Sequence, residues 1–248
     1  MLPLYEAKMI HHYDHRWATY EEDGSTRDGT RQEKQNPEFV VQPRYWVREE
    51  VVQDRLGGRA GQDWILGFRD ICRSTDERTM IASQLPTTAV GHTLPVAFTQ
   101  QGQAVLQAAW SSFVFDYVAR QKVGGTHMTY SYLMQLPFPL PQSNSDNAIQ
   151  AEWISERAEH LQRSDAWVGV DRDSIRAELD AAFFHLYGIE RNDVDYIMET
   201  FPIVKRKDIA EHGEYRTKRM ILEIYDAMAE AEKCGVPYRS PFDEVDGK

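Results

Sequence analysis

The sequence predicts an α+β fold in which a sheet-rich first region is followed by a helical second region. Short runs rich in Tyr, Trp, Ile and Val lie between turn-forming residues over most of the first hundred positions, which is typical of strands. Apolar residues then recur every three or four positions in 103–122 and again beyond residue 148, as on amphipathic helices. Hydrophobic residues make up 42% of the 248 positions and charged residues 27%, as in ordinary globular domains.

The first predicted strands lie on both sides of a polar segment. Strand-like composition covers residues 3–20, 39–41 and 44–47. Residues 21–36 contain no apolar side chain, which predicts a loop that is too long to be a simple turn. Residues 51–58 predict a short helix ending at Gly57-Gly58, because glycine readily takes the left-handed conformation that ends many helices.

A hairpin is predicted next, with strands at 63–73 and 78–85 joined by a turn at 74–77. Side chains alternate between the two faces of a strand. One face of the first strand carries Trp64, Leu66, Phe68, Asp70 and Cys72, and the other carries Ile65, Gly67, Arg69 and Ile71. The first of these is the better candidate for the core.

Residues 103–122 predict one long helix that stops before Gly124-Gly125. Its apolar face is formed by Leu106, Trp110, Phe113, Val114 and Tyr117. Prolines at 137, 139 and 141 predict a stiff, extended exit, and the polar segment 142–147 predicts a linker. We therefore divide the chain into a first domain at 1–141 and a helical region at 148–248.

The second region predicts helices at 148–163, at 174–187 with Gly188 as its stop, and at 215–234. A shorter helix between them is expected to begin at Asn192, since Asn is a favourable N-terminal cap.

The charge is unevenly distributed along the chain. The net charge is −11, and residues 151–248 hold 14 basic and 22 acidic residues, net −8. Residues 59–135 are near neutral, with 6 basic and 5 acidic residues, and their cations are arginines except for Lys122. Because a DNA-binding site needs only a local basic cluster, the net charge does not exclude one. A solvated, ion-paired face is the expectation for the basic residues of the acidic region, including Lys205 and Lys207.

Most familiar catalytic and membrane signatures are absent from the sequence. It contains no GxSxG elbow, no GxxxxGK[ST] loop, no Cys-rich metal site, no apolar run of membrane-spanning length and no signal-peptide pattern. Its two cysteines are far apart, which predicts neither a disulfide framework nor a zinc knuckle. We assign no catalytic residue, no metal ligand and no cofactor to this chain, and we expect no membrane contact and a cytoplasmic location.

Two local clusters are alternatives for chemistry. His11, His12, Asp14 and His15 are residue types that bind zinc, but on a strand they would point to opposite faces and could not share one ion. An ion pair between Asp14 and Arg16 is as plausible. Residues 36–39 read Asn-Pro-Glu-Phe, a near miss for the Asn-Pro-Pro-aromatic loop of adenine methyltransferases, without the glycine-rich turn that should precede it.

The most suggestive segment for DNA contact lies between residues 113 and 141. Arg and Lys suit phosphate, Arg suits guanine, Gln suits adenine, and glycines allow close approach of the backbone. The candidate DNA-binding residues are Arg69, Arg73, Arg78, Arg120, Gln121, Lys122, Thr126 and His127. The alternative interpretation is structural, because basic residues favour a helix C-terminus and Gly-Gly often ends a helix.

At this segment the sequence resembles a known family. Ser111-Ser112, then Gly124-Gly125-Thr126, then the alternating prolines of LPFPLP are similar to the end of the TaqI-like target-recognition domain of type IIG restriction-methylation enzymes and type I specificity subunits. Residues 4–20, 43–47, 68–83 and 91–95 resemble earlier blocks of these proteins, and 177–189 with 195–208 resemble their helical tail. The order of the blocks covers nearly the whole chain.

The resemblance implies a role in DNA sequence readout for an adenine-specific methyltransferase of a restriction-modification or phage-defence system. The recognition domain would hold double-stranded DNA while the target adenine flips into the site of a methyltransferase domain or subunit. S-adenosylmethionine is then expected only in that partner or missing domain. The target sequence does not follow from the resemblance, because recognition loops vary.

Two other functions are kept as alternatives. One is a self-contained metal-dependent nuclease that uses His11, His12, Asp14 and His15. The other is a non-catalytic interaction remnant whose helical tail binds a partner.

Overall fold

The computed structural model describes residues 1–59, 63–99, 102–139, 151–163, 167–168 and 172–240. The predicted linker at 142–147 lies outside the described residues, and so does Pro141, the last of the three prolines predicted to form an extended segment before it.

Short strands form three small sheets in the described part of the chain. The strands are β1 (Leu2–Tyr5), β2 (Ala18–Tyr20), β3 (Thr26–Asp28), β4 (Trp46–Val47), β5 (Trp64–Phe68), β6 (Ala82–Pro86), β7 (Ala89–Val90) and β8 (Val96–Ala97). Strand β1 pairs antiparallel with β4 and parallel with β7, while β2 and β3 form an antiparallel pair. Strand β5 is the centre of the third sheet and is antiparallel to both β6 and β8.

Helices form most of the remaining described structure. They are α1 (Arg31–Gln35), α2 (Glu49–Leu56), α3 (Gln103–Ser111), α4 (Phe113–Lys122), α5 (Tyr130–Leu133), α6 (Ala151–Gln162), α7 (Arg172–Leu186), α8 (Arg191–Glu199), α9 (Pro202–His212) and α10 (Arg216–Cys234), with a 3-10 turn at Ala7–Met9. The predicted α+β class is confirmed. Its sheet-rich description holds only loosely, because the strands are two to five residues long. No helix in the described residues is long and apolar enough to cross a membrane.

The polar segment at 21–36 is more ordered than predicted, since it holds β3 and α1. A reciprocal capping box starts α1: Thr30 Oγ1 accepts a hydrogen bond from Glu33 N at 3.2 Å, and the Glu33 carboxylate accepts one from Thr30 N at 2.8 Å. Arg27 forms an ion pair with Glu33 across the turn. Local hydrogen bonds order this segment without an apolar side chain, so hydrophobic periodicity gave no signal for it.

The predicted long helix at 103–122 is two helices, and the prediction of a continuous one was wrong. Ser112 has extended backbone dihedrals, and its hydroxyl accepts a hydrogen bond from Phe115 N at 3.3 Å, which caps α4. The carboxylate of Asp180 on α7 accepts a second one from Phe113 N at 2.7 Å. These acceptors satisfy backbone groups at the start of a new helix.

Strand β5 lies between two cores. Leu66 and Phe68 pack with Trp110, Phe115 and Met128, as predicted for this face, whereas Trp64 at the start of the strand is 40% exposed. The opposite face is also buried, because Ile65 packs with Tyr5, Met9, Leu85 and Leu94. At Gly67 an added Cβ would lie 2.9 Å from Leu85 Cδ2, so a larger residue there would need the Leu85 side chain to shift.

The largest core joins the two predicted regions. Residues of α3 and α4 pack there with residues of α6, α7 and α8, together with Tyr13 and Phe201. Helix α10 packs along α7. The boundary between 1–141 and 148–248 therefore does not separate two hydrophobic cores.

Glycines end two helices as predicted, with left-handed backbones at Gly57 and Gly188, and Gly235 ends α10 in the same conformation without having been predicted. The short helix α8 begins differently from the prediction, because Glu190 rather than Asn192 occupies the N-cap position. Helix α9 was not predicted; Pro202 occupies its first turn, where a missing N–H costs nothing.

Candidate nucleic-acid interface

Burial divides the eight predicted DNA-binding residues into two groups. Three arginines point into the protein: Arg69, Arg78 and Arg120. Five residues are exposed: Arg73, Gln121, Lys122, Thr126 and His127.

Arg69 ties the end of β5 to the N-terminal segment. Its Nε and Nη2 donate hydrogen bonds to the Ile10 carbonyl oxygen at 3.1 and 2.5 Å. Burial lowers the pKa of its guanidinium. This side chain is engaged inside the fold, and we remove it from the predicted DNA surface.

Arg78 and Arg120 share one buried carboxylate. Asp116 on α4 is fully buried, and its oxygens lie 2.6 Å from Arg78 Nε and 3.4 Å from Arg120 Nε. The same carboxylate accepts a hydrogen bond from Thr79 N at 3.0 Å. Arg78 also donates to the Ser111 carbonyl at 2.6 Å.

Aromatic rings and backbone carbonyls complete the contacts of these two arginines. The guanidinium of Arg78 lies 4.0 Å from the centre of the Phe113 ring, and that of Arg120 lies 4.1 Å from the Phe201 ring. Arg120 Nη2 donates to the carbonyls of Asp76 and Glu77 at 2.7 and 2.8 Å. Both arginines therefore hold the connector between β5 and β6 against α4, and we also remove them from the DNA surface.

The exposed residues lie on adjoining chain segments, because backbone contacts join the glycine loop to the end of β5. Cys72 N donates to the Thr126 carbonyl at 3.1 Å, and Met128 N donates to the Asp70 carbonyl at 2.7 Å. His127 Nδ1 lies 2.9 Å from the Asp70 carboxylate. We call Arg73, Gln121, Lys122 and residues 124–127 the glycine-loop surface.

The two glycines of this surface are not required by the fold. An added Cβ at Gly124 or Gly125 meets no atom of the described residues within 4 Å, and neither glycine has a positive φ. Their small size therefore leaves the loop backbone open to an approaching ligand.

We expect Gly125→Ala to leave the free energy of unfolding unchanged or to raise it by up to about 1 kcal/mol, because alanine restricts the unfolded chain. The control is Gly188→Ala, which should lower it by about 1–2 kcal/mol because Gly188 has a φ of +66°. Urea unfolding of both variants measures the effects. Equal destabilisation by the two variants would show that the loop itself needs glycine.

The exposed cations of the two regions differ in their pairing. Arg44, Arg48, Arg55, Arg59, Arg73 and Lys122 are exposed and form no ion pair with a described residue. In the helical region Lys205 pairs with Glu199, Lys207 with Glu77, and Arg219 with Glu214. The expected ion pairs of the helical region are present at these residues, whereas Arg206 and Arg239 are exposed and form no ion pair with a described residue. Most of the exposed cations without an ion pair in the described residues lie in the first region.

The histidine cluster occupies a tight turn, so its predicted strand geometry was wrong. His11 and Asp14 pair through their backbones, and Tyr13 between them has a φ of +55°. Asp14 forms a buried ion pair with Lys34 at 2.7 Å and not with the guanidinium of Arg16, whose backbone N–H it accepts at 2.9 Å. No group of three or more His, Cys, Asp or Glu side chains that could hold a metal ion occurs in the described residues.

Burial lowers the pKa values of His11, His12 and His15, that of His15 to about 4. The folded protein therefore keeps these rings neutral while the unfolded chain binds protons near pH 6.5. The contribution of these three histidines to stability should therefore be constant above this pH and should fall as the pH decreases toward 4. We expect His15→Gln to reduce the fall in the free energy of unfolding between these pH values by up to ~3 kcal/mol, measured by urea unfolding at several pH values. An unchanged pH dependence in the variant would contradict the assignment.

The Asn-Pro-Glu-Phe segment is used locally. Asn36 Oδ1 accepts a hydrogen bond from Glu38 N at 3.0 Å, and the Asn36 carbonyl accepts one from Arg16 Nη1 at 3.0 Å. Phe39 packs against the core that contains Tyr5 and Ile65. These contacts give the segment a turn-forming role.

Sequence reasoning missed a polar cavity of about 330 Å³. It brings together His12 and Tyr13 from the histidine turn, Ser111 from the α3–α4 junction, and Arg176 and Asp180 from α7. The histidines were noticed as a metal motif, but nothing local in the sequence indicated that α7 would meet them.

Comparisons of the chain with protein-family models, with curated proteins and with solved structures gave no match.

Proposed function

We propose that this chain is a DNA sequence-recognition module that acts with an adenine-specific methyltransferase domain or subunit. The observation that carries the proposal is the glycine-loop surface, where donors and open glycines project outward from a rigid support. The support is the Asp116 network, which fixes the adjacent connector and helix end.

The side chains of this surface match the chemistry of a DNA groove. Arg73 and Lys122 carry positive charge for phosphate or guanine, and the amide of Gln121 has the donor and acceptor that adenine requires. Thr126 and His127 add hydrogen-bonding groups on the loop. Such a mixture permits both positioning on the backbone and reading of base edges.

The distribution of charge supports the orientation of the module. Most of the exposed cations that form no ion pair with a described residue lie in the first region, whereas the helical region has a net charge of −8 and pairs many of its lysines and arginines internally. A phosphate backbone would favour the first region and be repelled by the second.

The proposed partner is a methyltransferase, which would bind S-adenosylmethionine and perform the methyl transfer. The sequence resemblance supports this partner. Exposed Tyr45 and Trp46 at the edge strand β4 provide aromatic surface of the kind found at protein interfaces, with 54% and 49% of each residue exposed.

Selection from a randomised duplex library tests the proposal. The purified chain is incubated with the library at about 50 and 200 mM salt, and bound duplexes are sequenced. Enrichment of one motif together with a steep loss of binding at the higher salt is the expected result. Absence of binding at both salts would reject autonomous readout and favour the interaction remnant.

A further inference from the structure

The polar cavity lies where five parts of the chain meet. The histidine turn, the connector before β6, the α3–α4 junction, α7, and the facing ends of α9 and α10 form its wall. None of the residues of the glycine-loop surface lines it. The cavity is therefore a separate feature, and the inference drawn from it does not depend on DNA binding.

Two polar side chains of this wall lack partners for buried nitrogen atoms. His12 is 4% exposed, and neither of its ring nitrogens has a hydrogen-bond partner among the described residues. Nε of Arg176 is also buried without a partner in the described part of the chain, although Nη2 donates to the His12 carbonyl at 3.1 Å. Buried polar groups are nearly always hydrogen-bonded, because leaving one unpaired destabilises the folded state. Both residues line the cavity, so a polar molecule in it would be placed to supply the missing partners.

A buried carboxyl faces the same space. Asp180 uses Oδ1 to accept a hydrogen bond from Phe113 N at 2.7 Å, and Oδ2 has no described protein donor. Burial raises its pKa to about 7 against the opposing effect of Arg78 and Arg176. Near neutral pH this group is able to accept a hydrogen bond or, when protonated, to donate one.

The backbone beside the cavity is strained. Tyr13 has a φ of +55°, which a bulky side chain rarely adopts, and this conformation places His12 and Tyr13 together on the cavity wall. Strain of this kind clusters at ligand-binding sites.

The charges around the cavity indicate an uncharged ligand. Lys207 pairs with Glu77 and Arg216 pairs with Asp173 at its rim, and Arg78 pairs with Asp116 beneath it. Asp208 and Glu211 add negative charge at the same rim. This balance leaves no positive excess for a phosphate, in contrast to the glycine-loop surface.

We propose that this cavity binds a small, uncharged heterocycle of nucleobase or nucleoside size that carries adjacent hydrogen-bond donors and acceptors. A volume of about 330 Å³ is at the lower end of the range for small-molecule sites. The neutral ring of His12 offers one donor and one acceptor, Arg176 offers a donor, and Asp180 offers an acceptor. Such an arrangement matches the mixed edge of a nucleobase better than a purely anionic or purely apolar ligand.

The test is isothermal titration of the full chain with adenosine, guanosine, cytidine and uridine separately, and with inorganic phosphate. We expect at least one nucleoside to bind with a Kd below about 1 mM, and phosphate not to bind in the cavity. Absence of binding by every nucleoside at about 5 mM would overturn the proposal. Phosphate binding that is lost in the His12→Leu variant would also overturn the proposal.

His12→Leu and Arg176→Gln locate the binding. Each substitution should weaken the binding of the nucleoside at least about tenfold, which is the effect of one lost hydrogen bond to a buried group. His12→Leu should also raise the melting temperature of the ligand-free chain, because it removes an unpaired buried ring. Lys233→Gln, at the exposed end of α10, is the control and should bind normally. Unchanged nucleoside affinity in both cavity variants, with their folds verified by circular dichroism, would overturn the assignment of the site.

Discussion

Replacing Asp116 by Ala is expected to lower the free energy of unfolding by about 3–5 kcal/mol, the cost of breaking a buried ion pair from one side. The substitution leaves Arg78 and Arg120 without their shared carboxylate while both remain mostly buried. It also leaves Thr79 N without its acceptor. Because these contacts fasten the connector between β5 and β6 to α4, we expect the glycine-loop surface to lose its support as well.

Urea unfolding of matched variants measures this effect. Asp226→Ala is the control, since its ion pair with Arg191 is about half exposed and such pairs contribute little to stability. Asp116→Asn should be intermediate, because the amide oxygen still accepts a hydrogen bond while the negative charge is gone. A loss below about 1 kcal/mol for Asp116→Ala would contradict a structural role for the three-residue network.

The double substitution Arg73→Gln and Lys122→Gln is expected to weaken duplex DNA binding about 10- to 1000-fold at low salt, with little effect on stability. Both side chains are exposed and form no ion pair with a described residue, so the folded state does not depend on them. If each contacts one phosphate, the slope of log affinity against log salt should fall by about two. Fluorescence anisotropy with a labelled duplex at several salt concentrations gives both quantities.

The matched control removes the same number of charges from the helical region. Lys205→Gln and Lys207→Gln disrupt exposed ion pairs with Glu199 and Glu77, and should leave DNA affinity unchanged. An equal loss of affinity in the two double variants would mean that total charge, rather than the glycine-loop surface, governs binding.

Local signals in the sequence predicted much of the helical framework. Gly57 and Gly188 mark the ends of α2 and α7, and the apolar stripe of 215–234 corresponds closely to α10. Leu66 and Phe68 were identified as core residues because alternation on a strand is a local property. These features depend on neighbours in the chain, which the sequence displays directly.

Features that depend on distant partners were not predictable in this way. At the break after α3, the local cap from Ser112 is joined by Asp180, which lies 67 positions after Phe113 and accepts a hydrogen bond from Phe113 N. Arg78 and Arg120 resembled DNA contacts by residue type, but Asp116, Phe113 and Phe201 engage them only after folding. The same reason explains why the histidine turn suggested a metal site, whereas the structure places Lys34 against Asp14.

The most direct test of DNA readout is a parallel selection from one randomised duplex library at about 50 mM salt. The chain itself, the Arg73→Gln/Lys122→Gln variant and the Lys205→Gln/Lys207→Gln variant are compared. We predict that one motif is enriched by the chain and by the helical-region variant, and that enrichment is lost in the glycine-loop variant. Equal enrichment by all three proteins, or enrichment by none, would contradict DNA recognition by the glycine-loop surface.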